Sequence, residues 1–207
     1  WTFKLRKNST WSNGTPVTAH DFEYSWKRTL TPETAAEYSY IMADIVGSST
    51  KEIQENGVDG VGVKALDDYT LEVKLNRPVA YFAELVSFQV FFPQNQAFVE
   101  SCGDAYGSAA DKQLYNGPFT LTSWKMEDQF TMEKNPNYWD AANVKLNKIN
   151  TKVVKDTGAE VSLYEDGQID RAILSSDYVD KYKDSKELKT REVASIFMLQ
   201  INGGNHK

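Results

Sequence analysis

Trp11-Ser12-Asn13-Gly14-Thr15-Pro16-Val17-Thr18-Ala19-His20-Asp21-Phe22-Glu23-Tyr24-Ser25-Trp26 joins a tight turn to the start of a helix. Asn13-Gly14 supplies the positive φ that such a turn needs, and Pro16 fixes the exit. Thr18 can then cap the first helical turn, with Asp21 three residues on reaching back to the Thr18 amide. Phe22, Trp26 and Leu30 recur at i, i+4 and i+8, the spacing of one apolar helix face. Thr31-Pro32 ends the pattern, so a helix is expected over 18–30. Upstream, Trp1, Phe3 and Leu5 alternate with Thr2, Lys4 and Arg6, the period of a half-buried strand. Phe22 and Trp26 are expected to pack against it.

Downstream, 35–46 is rich in Ala, Tyr, Ile and Met before Gly47 and is expected to be a second, shorter helix. Residues 61–66 and 69–75 read as strands joined by an Asp67-Asp68 turn, 81–86 as a helical turn, and 88–92 as a buried apolar strand or loop. The small and polar stretch 101–112 reads as a loop. Asn116-Gly117-Pro118 turns into a strand over 119–124, with 130–134 as its hairpin partner. An aromatic loop, Asn135-Pro136-Asn137-Tyr138-Trp139, precedes a strand over 148–154. A helix over 157–164 stopped by Gly167, a short strand over 169–174, a polar helix over 179–189 and a strand over 197–202 complete the reading. Strands and helices mix without a regular βαβ rhythm, which points to a mixed α/β or α+β architecture. A chain that opens and closes inside regular structure is expected to be a piece of a longer protein.

Composition narrows the chemistry. The 207 residues carry 23 Lys+Arg against 29 Asp+Glu, a net charge of -6. That balance argues against a nucleic-acid partner, whose phosphates call for a concentrated basic face. One cysteine, Cys102, leaves no internal disulfide framework, and two distant histidines, His20 and His206, offer no metal or catalytic pair. The acidic pairs Asp67-Asp68 and Asp166/Asp170 sit at expected turns, where Asp serves the backbone. No Gly-x-Ser-x-Gly and no phosphate-binding glycine loop occurs. No enzyme, cofactor or metal is therefore expected. What remains is a wealth of aromatics at turns and helix ends, among them Tyr38, Tyr40, Tyr138 and Trp139. Most such rings belong to cores, but rings at the edge of a lobe also enclose organic ligands.

The opening pattern, Trp1-x-Phe3-x-Leu5-Arg6 and then Trp11-Ser12-Asn13-Gly14-x-Pro16-Val17-Thr18-Ala19-x-Asp21-Phe22-x-x-Ser25-Trp26-x-Arg28, resembles the signature of the extracellular solute-binding proteins of oligopeptide and dipeptide ABC importers. Val63-Lys64-Ala65-Leu66-Asp67-Asp68-Tyr69-Thr70-Leu71-Glu72-Val73-x-Leu75, Pro78-x-x-Tyr81-Phe82, Asn116-Gly117-Pro118-Phe119, Asn135-Pro136-x-Tyr138-Trp139 and Gly167-x-Ile169-Asp170 follow in that family's order.

The resemblance implies a fragment of the class II periplasmic-binding-protein-like fold. Residues 1–93 would match the family's small additional domain, and 94–207 the middle segment of its first lobe, with the other lobe absent. It implies oligopeptide capture by main-chain recognition between two lobes, and delivery to an ABC permease in the membrane. It further implies an extracytoplasmic place, in the periplasm or at the outer face of the cell membrane, with a lipid anchor on the full-length protein. The ligand-facing positions it suggests are Tyr38, Leu174, Ser175, Ser176, Val193, Ser195, Phe197 and Met198. Ser195 and Met198 stand where well-known members carry cysteine and tyrosine. Because the signature belongs to the scaffold, dipeptide, nickel, haem or sugar binding stays open, as does a surface chaperone or adhesion role. An exposed cleft wall would also favour self-association of the chain.

Overall fold

A computed structural model describes residues 1–193 together with Ser195, Ile196, Met198 and Leu199. It divides into two compact units, Trp1–Val153 and Val154–Lys207.

The first unit begins with β1 (Thr2–Lys4), followed by α1 (Ala19–Leu30) and α2 (Thr50–Asn56). Next come β2 (Val63–Asp67), β3 (Thr70–Val73), α3 (Phe82–Leu85) and α4 (Gln96–Cys102). The hairpin β4 (Phe119–Lys125) and β5 (Gln129–Lys134) and the strand β6 (Lys148–Lys152) complete it. Two three-stranded antiparallel sheets result, in the orders β1-β3-β2 and β4-β5-β6. This bears out the expected mixture of strands and helices without a βαβ repeat.

α1 forms as the opening stretch predicts. The Asp21 carboxylate accepts the Thr18 amide at 2.7 Å, and Ala19, Ser25, Trp26, Thr29 and Leu30 are buried. Glu23 ties α1 to the first sheet by accepting the Ala65 amide at 2.7 Å and the Lys27 ammonium at 2.8 Å. Leu71 and Val73 of β3, Val63 of β2, Met42, Ile45, Phe82 and Phe91 fill the core with Trp26 and Leu30. Trp26 packs edge-on against Phe91 at 5.0 Å, so its principal aromatic partner is that ring and not the opening strand. Phe3 and Phe22 pack at the margin of the same core.

One expectation in this unit needs correction. Residues 35–46 form no α-helix: a 3-10 turn, Ser39–Met42, lies there, and the amides of Ser39, Ile41, Ala43 and Ile45 each donate to the carbonyl three residues back, closing tight turns in place of the i to i−4 ladder. Of the two readings of 88–92, the loop is found, as a 3-10 turn, Gln89–Phe91, with Phe91 buried. α2 went unread, although Ser49 and Glu52 form a capping box. α4 also went unread; it is capped by the Asn95 side chain accepting from the Phe98 amide.

In the second unit, α5 (Thr157–Glu165) and α6 (Ser176–Tyr182) are present. Asp156 caps α5 by accepting the Ala159 amide at 2.7 Å, and Gly167, at φ 67°, follows its end as expected. α6 starts earlier and stops sooner than 179–189. Residues 169–174 form no strand. A strand needs a paired ladder, and here the Ile173 amide is taken by the Glu160 carboxylate at 3.0 Å instead. Val193, Ser195, Ile196, Met198 and Leu199 carry no strand pairing either. The remainder of the strand expected near the chain's end lies outside the described residues.

Candidate functional site

Two short turns of the first unit carry a cluster of solvent-facing rings. Tyr38 enters the Ser39–Met42 turn, and that turn is anchored by Met42, which is buried in the core. Behind it Ile45 is fully buried and bridges Leu75. The Val46 amide donates to the Lys74 carbonyl at 2.9 Å, and the Gly62 amide to the Val46 carbonyl at 2.7 Å. Gly47 is required here: its φ is 73°, and a Cβ would lie 2.4 Å from the Gly60 carbonyl oxygen. The second turn runs from α3 to Gln89–Phe91 and is anchored by the buried rings Phe82 and Phe91, 6.2 Å apart and nearly perpendicular.

With both anchors pointing inward, the residues between them face out. Tyr38 meets Phe88 edge-on at 5.5 Å and Tyr40 at 6.1 Å. They are 44%, 37% and 68% exposed, respectively. Beside them Arg77 donates from Nε to Asp44 at 2.7 Å, and the Tyr81 hydroxyl reaches the other Asp44 oxygen at 3.4 Å. The arrangement offers ring faces and hydroxyls; it holds no nucleophile beside a base.

The remaining positions suggested by resemblance all fall in the second unit. Leu174 and Ser175 are half-buried and Ser176 is exposed, at the start of α6. Ser175 is the N-cap of that helix; its carbonyl accepts the Tyr178 amide at 3.1 Å, and its buried Oγ has no partner. Val193, Ser195 and Met198 are exposed. Phe197 lies outside the described residues. Among the described residues no hydrogen bond joins the 174–176 group to the 193–198 group. Tyr40 and Phe88 are the site residues that sequence reading missed. Tyr40 was noted only as one ring among many, and Phe88 was hidden in an apolar run that reads as core.

The motif residues themselves serve the scaffold. The Arg6 guanidinium stacks 3.6 Å above the Trp139 ring. Thr10 donates to the Asn137 carbonyl at 2.9 Å, and the Asn137 side-chain amide donates to the Ser12 carbonyl at 3.0 Å. The buried Asn135 donates to Gly117 at 2.9 Å and accepts the Asn137 amide. The opening turn and the aromatic loop are thus locked together across more than a hundred residues. Among the described residues no group of three or more His, Cys, Asp or Glu side chains is placed to hold a metal, and no helix is long and apolar enough to cross a membrane.

This scaffold is that of an extracellular solute-binding protein. The family model of bacterial extracellular solute-binding proteins, family 5 Middle, matches residues 1–206, and the chain belongs to that family. It is 35% identical over 207 residues to the oligopeptide-binding protein OppA of Bacillus subtilis, covering 98% of this chain and 38% of that protein. Among solved structures, the substrate-binding domain of an oligopeptide ABC transporter from Bacillus anthracis superposes with a TM-score of 0.85 at 49% identity, covering 89% of this chain and 36% of that one. OppA of Listeria monocytogenes bound to peptide gives 0.84 at 44% identity, with the same coverage. These likenesses bear out the class II periplasmic-binding-protein-like fold. The chain spans a little over a third of the length of these relatives.

Proposed function

We propose that this chain is part of the substrate-binding component of an ABC importer, which captures oligopeptides by their main chain in a cleft between two lobes and delivers them to a membrane permease. The observation that carries the reading is the family match along residues 1–206, joined to an outward-facing ring cluster at Tyr38. Main-chain recognition suits such a cluster, because rings offer area to any side chain while backbone bonds hold the peptide in place. The protein acts as a binder and not as an enzyme, and works outside the cytoplasm, lipid-anchored in its full-length form. Residues 1–93 correspond in this reading to the family's small additional domain and 94–207 to the middle of its first lobe. Tyr38 in the first unit and, separately, Leu174, Ser175, Ser176, Val193, Ser195, Phe197 and Met198 in the second are the positions this reading assigns to peptide contact.

The test is mass spectrometry of whatever co-purifies with the full-length protein. Peptides of mixed sequence are expected. Recovery of nickel, haem or sugar alone would overturn the reading.

A further inference from the structure

We infer that Tyr38, Tyr40 and Phe88 form a selective subsite that takes an aromatic or large apolar side chain of the bound peptide. The inference rests on the peptide reading above and adds a preference to it. Three rings from two separate turns touch one another at 5.5 and 6.1 Å, tilted by 64° and 41°. Tilted rings leave faces and edges uncovered, and a fourth ring completes such a set in the offset or edge-on geometry that aromatic pairs prefer. The cluster stays exposed even though Phe82, Phe91 and Met42, on the same two turns, are buried. The core therefore had apolar anchors enough without these three.

Two further observations point to a peptide as the occupant. Neither the Tyr38 nor the Tyr40 hydroxyl has a hydrogen-bond partner among the described residues, so each can serve an amide or carbonyl beside the seated side chain. Of the charged groups near these turns, Asp44 and Arg77 are bound to each other at 2.7 Å, with the Tyr81 hydroxyl on the same carboxylate, while Glu37 and Glu84 are exposed acids. A pair closed in this way has little left to attract a lone charge. An aspartate side chain seated here would lose hydration with no free positive charge to replace it. A ring or a long aliphatic chain loses no such hydration.

The experiment uses the full-length protein, stripped of co-purified peptide, and alanine-based peptides of three to five residues with one guest residue moved along them. Calorimetry is expected to show phenylalanine or leucine guests binding about tenfold tighter than alanine at one position, with aspartate no better than alanine there. Phe88→Ala is expected to reduce the ratio of alanine to phenylalanine dissociation constants to near one. Tyr40→Ala, at the most exposed ring, is expected to lower the same ratio without threatening the fold. Equal affinity for all guests, or a preference that survives both substitutions, would overturn the subsite and leave the peptide reading standing. Failure of every peptide to bind would overturn both.

Discussion

Trp26 donates its indole N–H to the Phe91 carbonyl at 2.8 Å while its ring meets the Phe91 ring edge-on at 5.0 Å. One side chain of α1 thereby fixes both the backbone and the ring of the turn that follows Phe88. Neighbouring Ser25 adds a bond to the Phe92 carbonyl at 2.6 Å.

Trp26→Ala is expected to cost about 3–5 kcal/mol, since a fully packed indole would leave a cavity behind. Trp26→Phe would keep most of the packing but strand the Phe91 carbonyl in the core, at about 1–3 kcal/mol. Urea denaturation of both variants checks the order. An unchanged midpoint for the alanine variant would contradict the burial described here.

Gly47→Ala should be among the more damaging methyl additions in the chain. Its φ of 73° strains any L side chain, and the new Cβ would stand 2.4 Å from Gly60 O, a backbone atom that cannot swing away. Strain and clash together suggest about 2–5 kcal/mol. Gly14→Ala, at φ 86° with nothing within 4 Å, carries only the conformational cost of about 1–2 kcal/mol. Equal denaturation midpoints for the two variants would show that the Gly60 contact relaxes freely.

The two turns that hold the candidate site were the least legible part of the sequence, for a physical reason. α1 announces itself through Thr18, Asp21 and a clean i, i+4, i+8 stripe, and the β4–β5 hairpin through alternation between turn residues. The Ser39–Met42 turn has a helix-like composition, but its amides close on carbonyls three residues back and not four, and composition carries no trace of that. Phe88 sits beside Val90, Phe91 and Phe92, of which only Phe91 is buried below 2%. A short apolar run does not reveal which ring faces in. The strand expected at 169–174 failed because its apolar residues predicted a ladder, whereas a carboxylate from α5 satisfied the Ile173 amide. α2 shows the opposite case: Ser49-Thr50-Lys51-Glu52 was a readable capping box that was overlooked.

Asp21 supplies a pH dependence with a definite sign. It is buried among Trp11 Nε1 at 3.3 Å, the Thr18 amide at 2.7 Å and the Asn95 side-chain amide at 3.4 Å, with His20 beside it. Burial dominates and raises its pKa above the ordinary 3.8, against the opposing pull of those hydrogen bonds. A raised carboxylate pKa means that its stabilising contribution is fully present below the ordinary value and declines as pH rises through the shifted one. Asp21→Asn keeps an acceptor for the Thr18 amide and removes the titration. The variant is expected to gain stability relative to the parent as pH climbs from about 3.5 towards neutrality, read from denaturation midpoints across that range. A difference that is flat with pH, or that runs the other way, would show that the hydrogen bonds outweigh burial.

The 207-residue chain on its own should bind peptide poorly, even where the full-length protein binds well. In the proposed cleft the ligand is enclosed between two lobes, and this chain spans little more than a third of its relatives' length. Its ring cluster offers a single wall, and a peptide lying on one wall keeps most of its hydration. Backbone hydrogen bonds exchanged with water contribute only about 1 kcal/mol each, while holding a flexible peptide costs several kcal/mol in lost freedom. One favourable ring contact, worth about 0.5–1.5 kcal/mol beyond its burial, does not close that gap. The isolated chain is therefore expected to bind a peptide mixture with a dissociation constant weaker than about 1 mM. Calorimetry of the isolated chain beside the full-length protein makes the comparison directly. Micromolar binding by the isolated chain would mean that the site is local to these residues and that enclosure by a second lobe is dispensable.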